Sequence, residues 1–566
     1  MRFDFLLRRA RWSVLALTAA LVGINLHAEA AVVSWSGGGA DQNWTTGGAG
    51  GNWSGDAAPG AADEAVFTNV AGGASAGVVT NVVAGSATVQ SLSYQFGATA
   101  TGFFHTTQIA AGQTLLATGG LNVSPLGFFG VTGSYPINVT VSGATSALQV
   151  GESGAYTANM VLANVLDEAG ASHSRAVLNL SGLGSFTANV NLLSLANGLS
   201  SWNSIGYGEL ILAATNQIRA KTIETGHTVG YFNILLGQDN TIQTNTMYVN
   251  MGKGPTTGSY LNQIRFQAGL TNPVLTLSGL DSAGTNLLIG ANVTAGTGGT
   301  SVGTMDLSGG TFNATLNNLT IGRFDYANEG GAQGSLIMDA GLVTASQVIL
   351  AQTSAPAASK SKTTGTITMR GGTFNVAGSV TDGGGVSTLN LFNGTMNVDG
   401  NFTVDNVWVG SNGGTAVLNV DGAVVIGSGA GSTLNVAVVS GSGNTGGTGT
   451  LDFAGATSVA ISVGTMRIAN SGNGNSSTGT VSLSSGTNTI RADEIIIGNR
   501  KSAATVSMAA GGSLDIQGQT GARANLTIGR NDIDTGSTPL ATLNATAGRF
   551  TAQLDQLIIG HKSTGT

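Results

Sequence analysis

The side chains able to do chemistry are few and widely spaced. Polysaccharide hydrolysis needs two carboxyls facing each other across roughly 5–10 Å, and lyase chemistry needs a base with Ca²⁺ or Arg to neutralise a uronate. Asp306, Asp339, Asp399, Asp405, Asp421, Asp452, Asp493 and Asp515 share no repeat position; Asp399, Asp405 and Asp421 are the nearest group and read as turn residues. His105, His173, His227 and His561 lie tens of residues apart, without metal-ligand spacing. No Gly-x-Ser-x-Gly marks a nucleophile, and GSGAGS at Gly427 and GNGNSS at Gly472 lack the Lys and helix of a phosphate loop. No cofactor is implied. Two weaker constellations remain. Arg323, Arg530 and His561 each follow an Ile-Gly pair, with Arg500 one residue later, so stacked copies would form a partial basic ladder able to attract an acidic glycan. Trp35, Trp44 and Trp53 are spaced nine apart, and indole faces can stack on sugars.

The residues around them are repetitive. Of 566 residues 89 are Gly and 7 Pro, with no Cys; only 9% are charged while 41% are hydrophobic. That balance excludes collagen, a disulfide framework and a charge-rich disordered chain. Thr, Ser, Asn and Gly must cover the surface. A basic segment with Arg2, Arg8, Arg9 and Arg11, an apolar run Ser13–Leu26 and Ala28-Glu29-Ala30 read as a secretory leader over residues 1–30. Its removal takes four Arg and two acids and leaves a formal charge of −9. Such an acidic chain fits neither nucleic acid nor anionic membrane, and no later stretch is long and apolar enough to span a bilayer.

Residues 31–89 hold the three Trp, with Asn43-Trp44 and Asn52-Trp53 repeating one dipeptide, followed by Pro59, Asp63 and Phe67. A solenoid needs its open end covered, and large aromatics suit that role, so this segment is expected to cap the array. The pattern Trp, Gly-rich spacer, Asn-Trp, Asn-Trp-Ser, Pro, Asp-x-Ala-Val-Phe, with Ala87–Val123 after it, resembles the N-terminal module of exported bacterial proteins with autotransporter-associated β-strand repeats. The resemblance covers about ninety residues after the leader. It implies a parallel β-helix, export and a cell-surface or extracellular location, and it carries no catalytic residues.

From residue 90 to 566 a repeat closes on LLIG at Leu287, LTIG at Leu319, VILA at Val348, VWVG at Val407, IIIG at Ile495, LTIG at Leu526 and LIIG at Leu557. Well-formed copies, such as those ending at Gly498, Gly529 and Gly560, keep one near-constant spacing that falls within the solenoid range. Before each closing motif stand two further alternating runs, such as MDLSGG and GTFNATL, which predicts three strands and three glycine turns per coil. The expected fold is all-β, a right-handed parallel β-helix of some sixteen coils, on the order of 75–80 Å long at one rung per ~4.8 Å. Aligned copies place Phe312, Phe374, Met396, Leu514 and Phe550 in one interior column, and Ile321, Val409, Ile497, Ile528 and Ile559 in another. Insertions at Arg323, Gln352 and Ser440 are expected to project from one corner. The terminal TGT opens another repeat, so a fragment is expected.

The function this pattern fits is a secreted or cell-surface structural or adhesive solenoid without catalytic activity. The alternative is a polysaccharide-binding or polysaccharide-degrading β-helix. Extracellular glycan or cell-envelope components are the partners to expect.

Overall fold

A computed structural model describes residues 31–68, 78–96, 103–125, 137–164, 173–198, 205–252, 262–293, 299–326, 330–354, 360–440, 445–471, 475–531 and 539–562. The expected leader, the last four residues, and parts of the three expected insertions (327–329, 355–359 and 441–444) lie outside the described residues.

The described chain is a parallel β-helix. Its 38 strands join in one continuous hydrogen-bonded sheet. The strands alternate in burial, as Thr415–Val420 does with Ala416, Leu418 and Val420 buried. Glycine-rich corners divide each coil into three segments, and each segment pairs in parallel with its counterpart in the next coil. We number these three faces in chain order. In one coil, Thr300–Leu307 forms face 1, while Thr311–Phe324 bends once to supply face 2 and then face 3. Face 1 stacks Met305, Leu336, Ile367, Leu389, Val407, Leu434, Met466, Ile495, Leu526 and Leu557 on one another. Most of these side chains are fully buried, so each rung roofs the apolar surface of the one before. On the outside, stacked amides satisfy each other: Asn397 donates to Asn375, and Asn419 to Asn397, both at 2.7 Å.

The columns differ from those that sequence alignment predicts. Phe312, Phe374 and Met396 do share face 2, with Phe374 directly against Met396, but Leu514 and Phe550 pair on face 3. Ile321 stands on face 3, between Ile289 and Leu350. Val409, Ile497, Ile528 and Ile559 belong to face 1. The repeat therefore rotates by one face along the rod.

The rotation happens through short coils. Met305 to Leu336 is a full-length step; Ile367 to Leu389 is markedly shorter, and Leu389 to Val407 is shorter still. A short coil holds three strands and three minimal corners, and a full-length coil adds an insertion at one of those corners. Up to Thr353 the insertion joins face 3 to face 1, and beyond Val436 it joins face 1 to face 2. Between these regions the insertion is lost and then resumes at a different corner. A 3₁₀ turn with one positive-φ non-glycine residue, Asp281 or Thr520, records the same shift. Leu280–Ser282 leads from face 2 to face 3, whereas Gln519–Gly521 leads from face 3 to face 1. The expected insertions thus interrupt the coil at two corners, not one.

The closing glycines have the expected left-handed backbone. At Gly322, φ is +72°, and a Cβ would meet the carbonyl of Thr364. The segment 31–89 is continuous with the helix: Glu64–Phe67 pairs with residues 91–94, and the expected boundary at 89/90 falls inside strand Ala87–Phe96.

Phe374→Ala is expected to cost about 3–5 kcal/mol, because the neighbours above and below are backbone-paired and cannot collapse into the void. Urea unfolding of the variant measures the loss, and amide exchange should locate it in the coils around residues 343–398.

Candidate functional site

The three cap indoles lie inside. Trp35, Trp44 and Trp53 are only 6%, 2% and 1% exposed. Trp53 meets Trp35 edge-on at 5.0 Å and Trp44 at 4.8 Å, and all three rings reach Phe67, which stacks on Tyr94 at 4.9 Å. The repeated Asn-Trp dipeptide has a local cause. Asn52, fully buried, donates to the carbonyls of Asp41 and Asn43 and accepts from the Gly39 N–H, while Trp53 Nε1 donates to the Trp44 carbonyl at 2.6 Å. The sugar-platform reading of these three residues is therefore corrected: their ring faces are spent on one another and on Phe67.

The basic ladder is not assembled either. Arg323 pairs in register with Ala291 and Gln352 on face 3. Its guanidinium is held by Asp325, with Nη2 to Oδ2 at 2.8 Å and Nε donating at 3.0 Å. Arg530 and His561 are neighbours on face 1, where Arg530 follows Asn499. The face rotation separates Arg323 from the other two, so the sequence repeat at this position is not a spatial one.

Most acids are committed to structure. Asp306 accepts from the Ser308 N–H and hydroxyl, Asp452 from the Ala454 N–H, and Asp493 from the Gln519 N–H. Others bridge rungs: Arg467 meets Glu494 at 3.1 Å and Arg491 meets Asp515 at 2.9 Å. A cavity of about 300 Å³ opens where face 1 leads to face 2, bringing Arg265 beside Asp306 and Ser308. Its carboxylate is the one already bonded to Ser308. Among the described residues no three His, Asp or Glu gather as a metal site.

Two features of the short coils escape sequence comparison. Asp382 occupies an inward position of face 3, next to Leu350 in a column that also holds Ile289 and Ile321. Its Oδ1 is buried without a hydrogen-bond partner. Burial pushes its carboxyl up to about 6, with the nearby Asp405 carboxylate adding to the shift; bonds from Gly384 and Ser387 and the charge of Lys360 oppose it. Asp405 is itself buried and accepts from the Ser387 N–H at 3.1 Å and its hydroxyl at 3.3 Å. The second feature is Trp408, which stands outward and half-buried between inward Val407 and Val409. Its rung neighbours are Asn390 and Asn435. The alternation inside VWVG marks Trp408 as outward, a signal hidden when that motif is read only as a closing turn.

Comparison with protein-family models, with curated proteins and with solved structures finds no match for this chain.

Trp53→Ala is expected to cost about 3–5 kcal/mol and to open the first coils, read as lost amide protection around residues 64–94. The cap and the short coils should respond oppositely to pH. Burial lowers His105 to about 3 from 6.5, so the cap is stable above pH 6.5 and loses stability as pH falls toward 3. Asp382 is raised from 3.8 to about 6, so its coil is most stable below pH 4 and loses that contribution as pH rises through 6. Amide exchange at pH 5 and pH 8 checks both signs, and Asp382→Asn should abolish only the second.

Proposed function

We propose that the chain is an exported, non-catalytic β-helical rod that spaces, adheres or coats at a bacterial surface, with extracellular glycan or cell-envelope components as partners. The observation that carries this reading is the division of labour in the coil. Inward positions are nearly all aliphatic, and the outward positions that repeat are Thr, Asn and Ser, as in Thr450, Thr480, Thr505 and Thr542 on face 2. Most carboxylates close turns or bridge rungs, which leaves them poorly placed as an acid and base pair; Asp382 beside Asp405 is the exception among the described residues. The Trp-rich N-terminal segment supports the same reading through its resemblance to autotransporter-associated repeat proteins, and the basic segment and apolar run at residues 2–26 support export. Outward Trp408 on an amide-lined face favours glycan binding over glycan cleavage as the second reading.

Incubation of the protein with a panel of plant, algal and bacterial polysaccharides should release no new reducing or unsaturated ends. Release that is abolished by a single acidic substitution, Asp382→Asn included, would overturn the structural reading. N-terminal sequencing of the exported protein should begin at Ala31.

A further inference from the structure

We propose that Trp408 is the centre of a binding site for a neutral pyranose glycan, laid along face 1 across the short coils. The inference deepens the adhesive reading above and rests on it. Every other described Trp is buried in the cap, where packing explains it. Trp408 faces out from a rung whose two neighbours at that position are amides, Asn390 on one side and Asn435 on the other. Two residues earlier in the same strands, Thr388, Asn406, Thr433 and Thr465 make a second polar row. An indole on such a surface supplies an apolar face for the C–H side of a sugar ring, with hydroxyl-compatible groups on both flanks.

Asn435 adds an independent pointer. It is 1% exposed, and neither its amide nitrogen nor its amide oxygen has a hydrogen-bond partner. Its register neighbours are Trp408 and Arg467. A buried amide without partners is costly, and movement of an outward side chain beside it would expose one donor and one acceptor together. A sugar hydroxyl offers both complements in one group.

Charge selects the ligand class. Arg467 is already paired with Glu494 at 3.1 Å, and Asn390, Asn435 and the Thr row are neutral. A uronate would find its cation engaged, and a stacked nucleobase strand needs the positive groove that this acidic chain lacks. Access follows from coil length. The segment 386–409 belongs to the two short coils, which carry no corner insertion on the Asn390 side of Trp408, whereas on the other side Asn435 follows the longer corner 427–432.

The test titrates the full chain with cellohexaose and mannohexaose, with hexagalacturonate as the charged comparison, by calorimetry and Trp fluorescence. At least one neutral hexasaccharide should bind and change the fluorescence, hexagalacturonate should bind more weakly, Trp408→Ala should weaken binding about tenfold or more, and Trp408→Phe should retain most of it. Asn435→Ala should weaken binding while leaving the fluorescence change in place. Circular dichroism melts confirm folding, and if Trp408→Ala does not fold, Asn435→Ala and Trp408→Phe decide. No neutral binding, a preference for hexagalacturonate, or full affinity in the Trp408→Ala and Asn435→Ala variants overturns the site. Binding that survives these substitutions sinks the site but leaves the adhesive reading, whereas sugar cleavage sinks the adhesive reading whichever residue binds.

Discussion

Parallel pairing of each rung with the one before it is the constraint on which the rest of the molecule depends. It fixes the spacing of rungs at ~4.8 Å and forces inward side chains into direct contact, so an apolar column forms wherever alternation is kept. It also means that no coil has a core of its own. Stability is a sum of neighbour contacts, and the ends of the stack are where those contacts fall short. The Trp cluster answers that shortage at the N-terminal end with rings that close over Phe67 and Tyr94. In the last described coil Leu540, Phe550, Leu557 and Ile559 are exposed, whereas Leu514 and Leu526, the rung partners of Phe550 and Leu557, are 1% and 2% exposed. The difference between these rungs measures what a neighbour supplies.

The same constraint is indifferent to which sequence motif occupies which face. A strand with the right alternation pairs with any other, so the chain needs only a multiple of three segments between partners. Corner insertions can be lost from one edge and resumed at another without breaking a single inner column. That freedom allows LTIG at Leu319 to lie on face 3 while the identical LTIG at Leu526 lies on face 1.

Alternation, glycine corners and the three-strand coil were all legible in the sequence, because each is a local pattern with a local cause. The face assignment was not. Aligning Phe312 with Phe550 compares motifs, whereas stacking follows the count of segments along the chain, and the coils around 364–409 change that count relative to the motif. The same mismatch reaches the candidate site: Arg323, Arg530 and His561 look like one ladder in alignment and occupy two faces in space. The burial of Trp35, Trp44 and Trp53 shows why spacing alone could not assign them to sugar binding. Asp382 and Trp408 are hidden from alignment for the opposite reason. They differ from their columns, and a search for shared positions discards such differences.

A periodic protein makes exceptions informative. In a globular core an inward-pointing Asp or an outward Trp is judged against general statistics, but here each has its own controls one rung away. Asp382 is measured against Leu350, Ile321 and Ile289 in the same inward column, and Trp408 against Asn390 and Asn435 in the same outward one. Repetition with an aliphatic residue would be the stable choice at the first, and with an amide or Thr the soluble choice at the second. Both exceptions fall where the helix gives up its insertions and shifts phase. Among the described residues these coils have the shortest steps between rungs, so they carry the least chain at their corners. A rod built from interchangeable coils has few ways to mark one place along its length. Coil length is one of them, and in this chain the coils it marks carry the side chains that depart from the repeat.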